Sequence, residues 1–247
     1  FVRYKYSTLP QYNLRRMFDD WAYNLSLSGR IKRRYAQKWQ RNDIAFFQCE
    51  SNFSPIRLDL VTPDATVIDS FIATPVATSA IDPLKSFYEA AIEWNDYPAG
   101  CYYVLFYAGS STIPAFITEL QSVKDHHPGT ALHTYKHYRN RLGILFTDTF
   151  TPSFRVETEL YDYDPQSDDT AFVNQNRNIK ILSSYPYEEY SMFIGDKYGV
   201  PDWVARKMRD IYGCSDVLID GVAYSKPDGT KWEPKRAEGY MLAGWRT

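Results

Sequence analysis

All four histidines of the chain lie within twelve residues, so they are the first side chains to test for a metal site: His126, His127, His133 and His137. On a helix, His133 and His137 would share one face and could bind zinc. On a strand they would stand about 13 Å apart, at ~3.3 Å per residue, which is too far for one ion. The segment has no HExxH motif. We interpret it as a turn followed by a strand or loop that carries histidines, and we predict no metal ion.

The acidic stretch DYDPQSDD, residues 162–169, begins with the spacing of a calcium loop. Its first, third and seventh positions are acidic (Asp162, Asp164 and Asp168). The sixth position is Ser167 instead of the glycine that an EF-hand needs, and the twelfth is Val173 instead of a glutamate. The stretch therefore predicts a solvated acidic turn that ends the preceding strand, with a weak surface cation site as the alternative.

Two pairs of glutamates could supply the acid and the nucleophile of a glycosidase (Glu157 with Glu159, and Glu188 with Glu189). Spacing along the chain does not set the separation of two carboxylates in space, however, and surface acids are common. We interpret both pairs as ordinary surface residues.

The three cysteines, Cys49, Cys101 and Cys214, are odd in number and far apart, which supports neither a disulfide framework nor a metal knuckle. Cys101 or Cys214 could act as a nucleophile only with a histidine partner, and none can be assigned, so we interpret them as buried free thiols. The chain also lacks GxSxG, P-loop and GxGxxG motifs. We predict no catalytic residue, no cofactor and no enzyme activity.

The stretch KWQRNDIAFFQCESNF, residues 38–53, places polar side chains among aromatic ones. Trp39 stands four residues before Asp43, and an alternating run then leads to Gln48. Gln48 has no acid–base or metal partner within sequence reach. The stretch therefore predicts the start of a scaffold domain, with Asp43 opening a strand and Trp39 in a region of contact between subunits.

Charge is distributed unevenly along the chain. Residues 1–41 hold ten Lys or Arg residues against two Asp residues, a net charge of +8, and the remainder has a net charge of −10. Such asymmetry can join copies of one chain head to tail. We predict that Arg30, Lys32, Arg33 and Arg34 contact acidic surfaces of a neighbouring subunit. Nucleic acid is not expected as the partner, because no nucleic-acid-binding module is recognisable.

The composition suits a packed, Tyr-rich β-protein. The chain of 247 residues contains 21 Tyr, 14 Phe and 6 Trp, and Tyr has an apolar ring with a polar tip that suits sheet faces and interfaces. The longest apolar stretch is residues 102–109, far short of the roughly 18 residues that a membrane helix needs. We predict no membrane segment.

The first half of the chain has the period-two pattern of strands. Residues 56–61 and 67–72 alternate on either side of the turn TPDAT, which predicts a hairpin. Residues 82–94 could begin a helix at Asp82–Pro83, but their alternation favours a strand. A Pro/Gly turn and another alternating strand follow at 98–106, and PAFITELQSVK (114–124) also resembles a strand. These features predict an antiparallel β-sandwich.

The second half predicts a β-rich α+β domain. Residues 153–163 alternate cleanly, and residues 216–224 form a further strand before a turn at 226–230. VPDWVARKMRDIYG predicts one clear helix, about 201–212, with an apolar stripe. The predicted division is a basic lead-in (1–37), a ring-forming β-sandwich (38–125) and a second domain (126–247).

Exposed aromatic residues on a β-sandwich could instead stack on sugar rings. Trp94, Tyr97 and Tyr103, with Tyr102 and Tyr107 beside them, are the candidates. Core packing accounts for at least half of them by alternation alone. A carbohydrate-binding module is therefore the alternative hypothesis.

The order of several features resembles that of a known class of proteins. The run W-x3-D-x4-Q (Trp39, Asp43, Gln48) is followed by PAGCYYV, FITELQSV, GVPDWVARKMRDI and VLIDGVAY. In this order they resemble structural proteins from tails of phages and prophages of Bacteroidetes-type bacteria, which are similar to the distal tail protein class. The resemblance covers roughly residues 38–247.

The resemblance implies a non-enzymatic subunit of the virion, made in the bacterial host cytoplasm. An N-terminal β-domain would form a ring, commonly a hexamer, between tail tube and baseplate. A second domain would point toward other baseplate or host-binding proteins. Because the outer domain of such proteins is sometimes a sugar-binding sandwich, the carbohydrate hypothesis stays open.

Overall fold

The computed structural model describes residues 3–4, 36–79, 83–138, 144–173, 175, 177, 179–195, 199–226, 233–236 and 242–246. Strands account for 60% of the structure and helices for 6%. Within the described residues there is one α-helix, α1 (Asp202–Ile211), and one 3-10 turn, Trp94–Asp96. The predicted fold class, mainly β with one clear helix, is confirmed.

The strands in chain order are β1 (Arg3–Tyr4), β2 (Gln37–Gln40), β3 (Ile44–Ser51), β4 (Ile56–Val61), β5 (Val67–Ile72), β6 (Thr74–Thr78), β7 (Ser86–Glu93), β8 (Gly100–Ala108), β9 (Phe116–Ile117), β10 (Gln121–Lys124), β11 (Thr130–Lys136), β12 (Ser153–Val173), β13 (Ile179–Ile194), β14 (Val200–Pro201), β15 (Asp216–Ile219), β16 (Val222–Tyr224), β17 (Glu233–Arg236) and β18 (Leu242–Arg246).

A small antiparallel sheet has the strand order β1-β3-β7-β6. Strand β7 pairs with β3 along its whole length, so the strand predicted within residues 82–94 is confirmed. A large sheet has the order β14-β18-β13-β12-β2-β10-β8-β4-β5, with β9, β11, β15, β16 and β17 attached at its sides. It contains the predicted hairpin of β4 and β5. It also contains a parallel pair, β2 with β10, so the sheet is mixed and not wholly antiparallel.

The facing sides of the two sheets form a first apolar cluster, here called the sandwich core. Alternate residues of β3, such as Phe47, point inward and meet residues from β4 and β8, such as Leu58 and Phe106. The rings of Phe47 and Phe106 pack edge to face, with centroids 6.0 Å apart. Each such buried side chain contributes about 1.5–3 kcal/mol relative to an exposed one. Period-two patterning therefore becomes the interior of a sandwich.

A second apolar cluster, here called the helix core, lies under α1. Val204, Met208 and Ile211 recur at helical spacing and are all buried. They pack with residues of β11, β12, β13 and β15, including Phe154 and Ile194. The apolar stripe predicted for this helix is confirmed for these three residues.

Strand β2 joins the parts of the large sheet that border the two cores. It pairs with β10 on one side and, through Lys38 and Arg155, with β12 on the other. One continuous sheet therefore runs past both cores. The division into domains near residue 126 stays a prediction.

Three sequence predictions of local structure are wrong. Residues 164–169 are not a turn, because β12 continues through them to Val173, paired with β13. Residues 216–224 are two strands, β15 and β16, which pair across Asp220–Gly221, where φ is 47° and 85°. An Asp-Gly pair with positive φ is typical of a tight hairpin turn. Residues 114–124 divide into β9 and β10. The turn predicted at 226–230 lies mostly outside the described residues.

Candidate functional site

Trp39, predicted to lie in a subunit contact, is instead part of the sandwich core, with 0% exposure. Its indole N–H donates a hydrogen bond to Oε1 of Gln121 (2.7 Å), and its ring lies 6.3 Å from that of Trp94. A fully buried indole cannot touch a neighbouring subunit, so this prediction is corrected. The residues around it, Lys38 and Gln40, did not indicate burial on both sides.

Trp94 is also 0% exposed and stacks on Tyr102, with centroids 5.9 Å apart. It therefore cannot stack on a sugar ring. The Tyr97 hydroxyl donates a hydrogen bond to Asp69 (2.7 Å), and burial together with this bond raises the pKa of Tyr97. Tyr97 and Tyr103 are both half-buried. The three candidates for glycan binding do not form an exposed aromatic platform.

The basic residues Arg30, Lys32, Arg33 and Arg34 lie outside the described residues. Their contact with an acidic surface of a neighbouring subunit stays a prediction.

Asp43 and Arg155 form a buried ion pair. Nε and Nη2 of Arg155 donate to the two carboxylate oxygens of Asp43 at 2.7 and 2.8 Å. The same carboxylate accepts a hydrogen bond from the backbone N–H of Gln40 (2.7 Å). Both carboxylate oxygens are therefore occupied by hydrogen bonds from within the fold, and the group is a structural ion pair. The sequence could not reveal this pair, because its members are 112 residues apart.

Gln48 meets a carboxylate that the sequence did not assign to it. It lies opposite Glu89 on β7, and its amide donates to Glu89 (2.9 Å) and to the carbonyl of Leu145 (2.7 Å). Thr147 donates to both oxygens of Glu89 at 3.1 Å. These bonds hold the segment around residues 145–149 against the outer face of the small sheet. These hydrogen bonds have a structural role. The alternation along β7 identified Glu89 only as a polar position and did not predict these partners.

Of the strand and the loop that the sequence left open for the histidines, the structure shows a strand, β11. His133 is on β11 and fully buried, and His137 follows the end of that strand. His133 Nε2 contacts the hydroxyl of Thr158 (2.8 Å), and the Tyr212 hydroxyl lies 3.0 Å from Nδ1. Burial, with a smaller contribution from the charge of Arg155, lowers the pKa of His133 to about 3. Among the described residues, no group of three or more His, Cys, Asp or Glu side chains could hold a metal ion.

Glu119 and Lys207 are a second buried charged group that the sequence did not reveal. Lys207 is on α1, fully buried, with its amine 3.9 Å from the ring centroid of Phe154. Burial lowers the pKa of Lys207 to about 7, although the charge of Glu119 opposes this. Burial also raises the pKa of Glu119. An amine that titrates near neutrality can act as a nucleophile, but full burial denies it a substrate.

The cysteines are all free thiols: Cys49 is buried, Cys101 is exposed and Cys214 is half-buried. The interpretation as buried thiols is therefore wrong for Cys101. Burial, followed by the charges of Asp210 and Asp216, raises the pKa of Cys214 to about 11. A thiol with so little thiolate at neutral pH is a poor nucleophile.

In each glutamate pair, the two carboxylates lie in different environments or on different faces of a strand. Glu157 is buried and forms an ion pair with Lys38, whereas Glu159 is exposed. Glu188 and Glu189 are adjacent on β13 and so point to opposite faces of the strand. This arrangement does not support a glycosidase acid and nucleophile.

A large exposed feature of the described chain is a two-stranded ribbon, here defined as residues 163–173 of β12 paired with residues 179–189 of β13. Eleven residues per strand correspond to about 36 Å at ~3.3 Å per residue. Eight of its large apolar or aromatic side chains are between 46% and 71% exposed: Tyr163, Phe172, Val173, Ile179, Ile181, Leu182, Tyr185 and Tyr187. Neither apolar core includes any of them.

The two faces of the ribbon differ in chemistry. The cross-strand pairs Asp164–Glu189, Gln166–Tyr187 and Asp168–Tyr185 share one face, here called the tyrosine–carboxylate face. The opposite face holds Asp169 and Glu188, and there Glu188 accepts hydrogen bonds from Tyr163 (3.3 Å) and Tyr190 (2.9 Å). The hydrogen bond between Tyr190 and Glu188 is the main cause that raises the pKa of Tyr190 to about 12. The opposite face is thus partly satisfied from within.

Comparison with protein-family models and with curated proteins found no match to this chain. Within the described residues, no helix is long and apolar enough to cross a membrane.

Proposed function

We propose that the protein is a non-enzymatic structural subunit that assembles with copies of itself in a phage tail or tail-like particle, as a ring between tail tube and baseplate. The observation that carries this proposal is the ribbon, which displays large apolar side chains on the parts of β12 and β13 that contribute to neither core. An isolated two-stranded hairpin is marginally stable in water. Exposed apolar clusters of this kind mark protein interaction sites.

The apolar tip of the ribbon is too small to form a stable interface without additional surface. Burying the five side chains nearest the tip would contribute roughly 7–15 kcal/mol in total, at about 1.5–3 kcal/mol each. Association itself costs about 4–15 kcal/mol. The tip alone is therefore marginal, and a stable contact needs further complementary surface. The five are Phe172, Val173, Ile179, Ile181 and Leu182.

The absence of an evident reaction site within the described residues supports a structural role. The polar groups that sequence reasoning singled out bind other parts of the same fold: Asp43 binds Arg155, Gln48 binds Glu89, and His133 binds Thr158. Each of these contacts fixes one strand or segment against another. The tail particle as the setting rests on the resemblance of residues 38–247.

The proposal is tested by the oligomeric state of the full chain. Size-exclusion chromatography with light scattering should give a defined mass of several subunits, and negative-stain microscopy should show rings. A protein that remains a monomer at the highest attainable concentration would overturn the proposal.

A further inference from the structure

The tyrosine–carboxylate face has an unfavourable arrangement of its own charges, and the one hydrogen bond that Gln166 donates to Asp164 (2.7 Å) is from a neutral group. Asp164 and Glu189 lie directly opposite each other, and like charges in that position repel. Of the ion pairs formed between described residues, none includes Asp164, Asp168 or Glu189. A cationic partner on this face would relieve the repulsion.

The chemistry of the face selects a cation of a particular kind. Three carboxylates alternate with the exposed rings of Tyr185 (69%) and Tyr187 (46%). Guanidinium groups pair with carboxylates through two hydrogen bonds and also stack on aromatic rings. Arginine combines both contacts on one side chain. The face therefore fits an arginine-rich segment better than it fits a metal ion or an apolar helix.

We propose that the tyrosine–carboxylate face binds the basic stretch, residues 30–34 (RIKRR), of a second copy of this chain. The basic stretch has four cations in five residues, within an N-terminal region of net charge +8. The ribbon opposes it with five acidic residues, Asp164, Asp168, Asp169, Glu188 and Glu189, against one basic residue, Lys180. Because this contact presupposes the self-assembly proposed above, its test must separate the two.

Chain length favours binding to a second copy over binding within one copy. Lys38 is paired with Arg155 in the large sheet. Arg30 lies eight residues before Lys38, so it reaches at most about 29 Å from that anchor. Asp168 lies thirteen residues beyond Arg155 along β12, which is about 43 Å at ~3.3 Å per residue. Asp164, nine residues beyond Arg155, lies about 30 Å away and is at the limit of reach of a copy's own basic stretch. Asp168 is beyond reach, so a contact that includes Asp168 requires a second copy.

A matched pair of variants tests the face. Asp168→Lys and Asp169→Lys make the same change of charge at adjacent exposed positions of β12, on opposite faces. We expect Asp168→Lys to weaken self-assembly about fivefold to tenfold, since one exposed attraction becomes a repulsion. Asp169→Lys should assemble within about twofold of the parent. The measurement is the concentration dependence of oligomer mass by analytical ultracentrifugation, with circular dichroism to confirm equal folding.

Charge exchange between copies identifies the partner. One variant reverses the face (Asp164→Lys with Glu189→Lys), and a second reverses the basic stretch (Arg30→Glu, Lys32→Glu, Arg33→Glu and Arg34→Glu). Each alone should be monomeric. A mixture should assemble, because the basic stretch of the first variant meets the acidic face of the second, and the acidic stretch of the second meets the basic face of the first. Higher salt should weaken the parent assembly, since exposed pairs are screened.

The outcomes separate the contact from the proposed function. If the parent is a monomer, both the assembly and this contact are wrong. If the parent assembles and Asp168→Lys assembles equally well, the contact is wrong and self-assembly stands. If both reversed variants are monomeric and their mixture forms no oligomer, the face and the basic stretch do not bind each other between copies.

Discussion

His133 makes the stability of the fold sensitive to acid. Its pKa is about 3 in the folded protein and about 6.5 in an unfolded chain. Between these values the unfolded state binds a proton that the folded state does not. The free energy of unfolding therefore falls as pH decreases from about 6.5 toward 3, by up to ~1.4 kcal/mol per pH unit.

His133→Gln tests this dependence. The variant lacks the titrating ring, so between pH 7 and pH 5 it should lose less of its unfolding free energy than the parent loses. Urea unfolding at each pH measures the difference, and the values at pH 8 provide the reference for packing changes. Parallel pH profiles for the two proteins would contradict the expectation.

For individual residues, the sequence predicted the local secondary structure well but did not predict the contact partners. It predicted that Asp43 opens a strand and that His133 lies on a strand or loop; Asp43 directly precedes β3, and His133 lies on β11. It could not supply the partner of either, because Asp43 meets Arg155 across 112 residues and His133 meets Tyr212 across 79. Trp39 was misplaced for the same reason. Burial on a four-residue strand between Lys38 and Gln40 depends on distant strands and not on a local pattern.

At the element scale, the ribbon is expected to be independent of the two cores. Replacing residues 165–188 with Asn-Gly would join the paired residues Asp164 and Glu189 through a tight hairpin turn. The thermal midpoint should stay within about 2 °C of the parent's, because the removed side chains are exposed and belong to neither core. Self-assembly should be lost. Circular dichroism at low protein concentration measures the first effect, and light scattering measures the second.

A large fall in the thermal midpoint of this shortened chain would show that the ribbon supports the fold. Unchanged assembly would show that copies associate through another surface.

The ribbon was also the element that sequence reasoning interpreted least well. Alternation is visible where one face of a strand is buried and the other is wet. Residues 162–173 are exposed on both faces, so the contrast disappears and Asp and Pro resemble a turn. By contrast, β4, β7 and β8 each bury one face in the sandwich core, so their alternating patterns predicted strands. The Asp220–Gly221 turn carried a recognisable hairpin signal that the apolar run around it obscured.

At the scale of the whole molecule, the buried pair of Asp43 and Arg155 fixes the loop before β3 to β12. Arg155→Met should reduce the free energy of unfolding by about 3–5 kcal/mol, because it leaves the Asp43 carboxylate buried without its cation. The double variant with Asp43→Asn should recover part of that loss. Urea unfolding measures all three proteins.

Arg209→Met is the matched control for this prediction. Arg209 pairs with its neighbour Asp210 at 3.2 Å, but more than half of its side chain is exposed. Its loss should change the free energy of unfolding by less than about 1 kcal/mol. Equal losses for Arg155→Met and Arg209→Met would contradict the importance of burial.

The fold class was accessible from the sequence because strands, turns and one amphipathic helix are local features. The arrangement of the large sheet was not, since the parallel pairing of β2 with β10 and the placement of β2 beside β12 depend on contacts between distant residues. Two-sheet packing followed from alternation, whereas strand order did not.

The position of β2 has a consequence for the order of events during synthesis. Gln37 on β2 binds Arg155, 118 residues later in the chain. Chains emerge from the ribosome N-terminal end first, and contacts between distant residues form late. The pairing of β2 with β12 therefore cannot form until more than half of the chain has been made. The basic stretch lies just before this strand, and a growing chain presents it to other molecules long before its own ribbon exists. Timing, as well as charge, would then favour a finished copy as the first surface that the basic stretch meets.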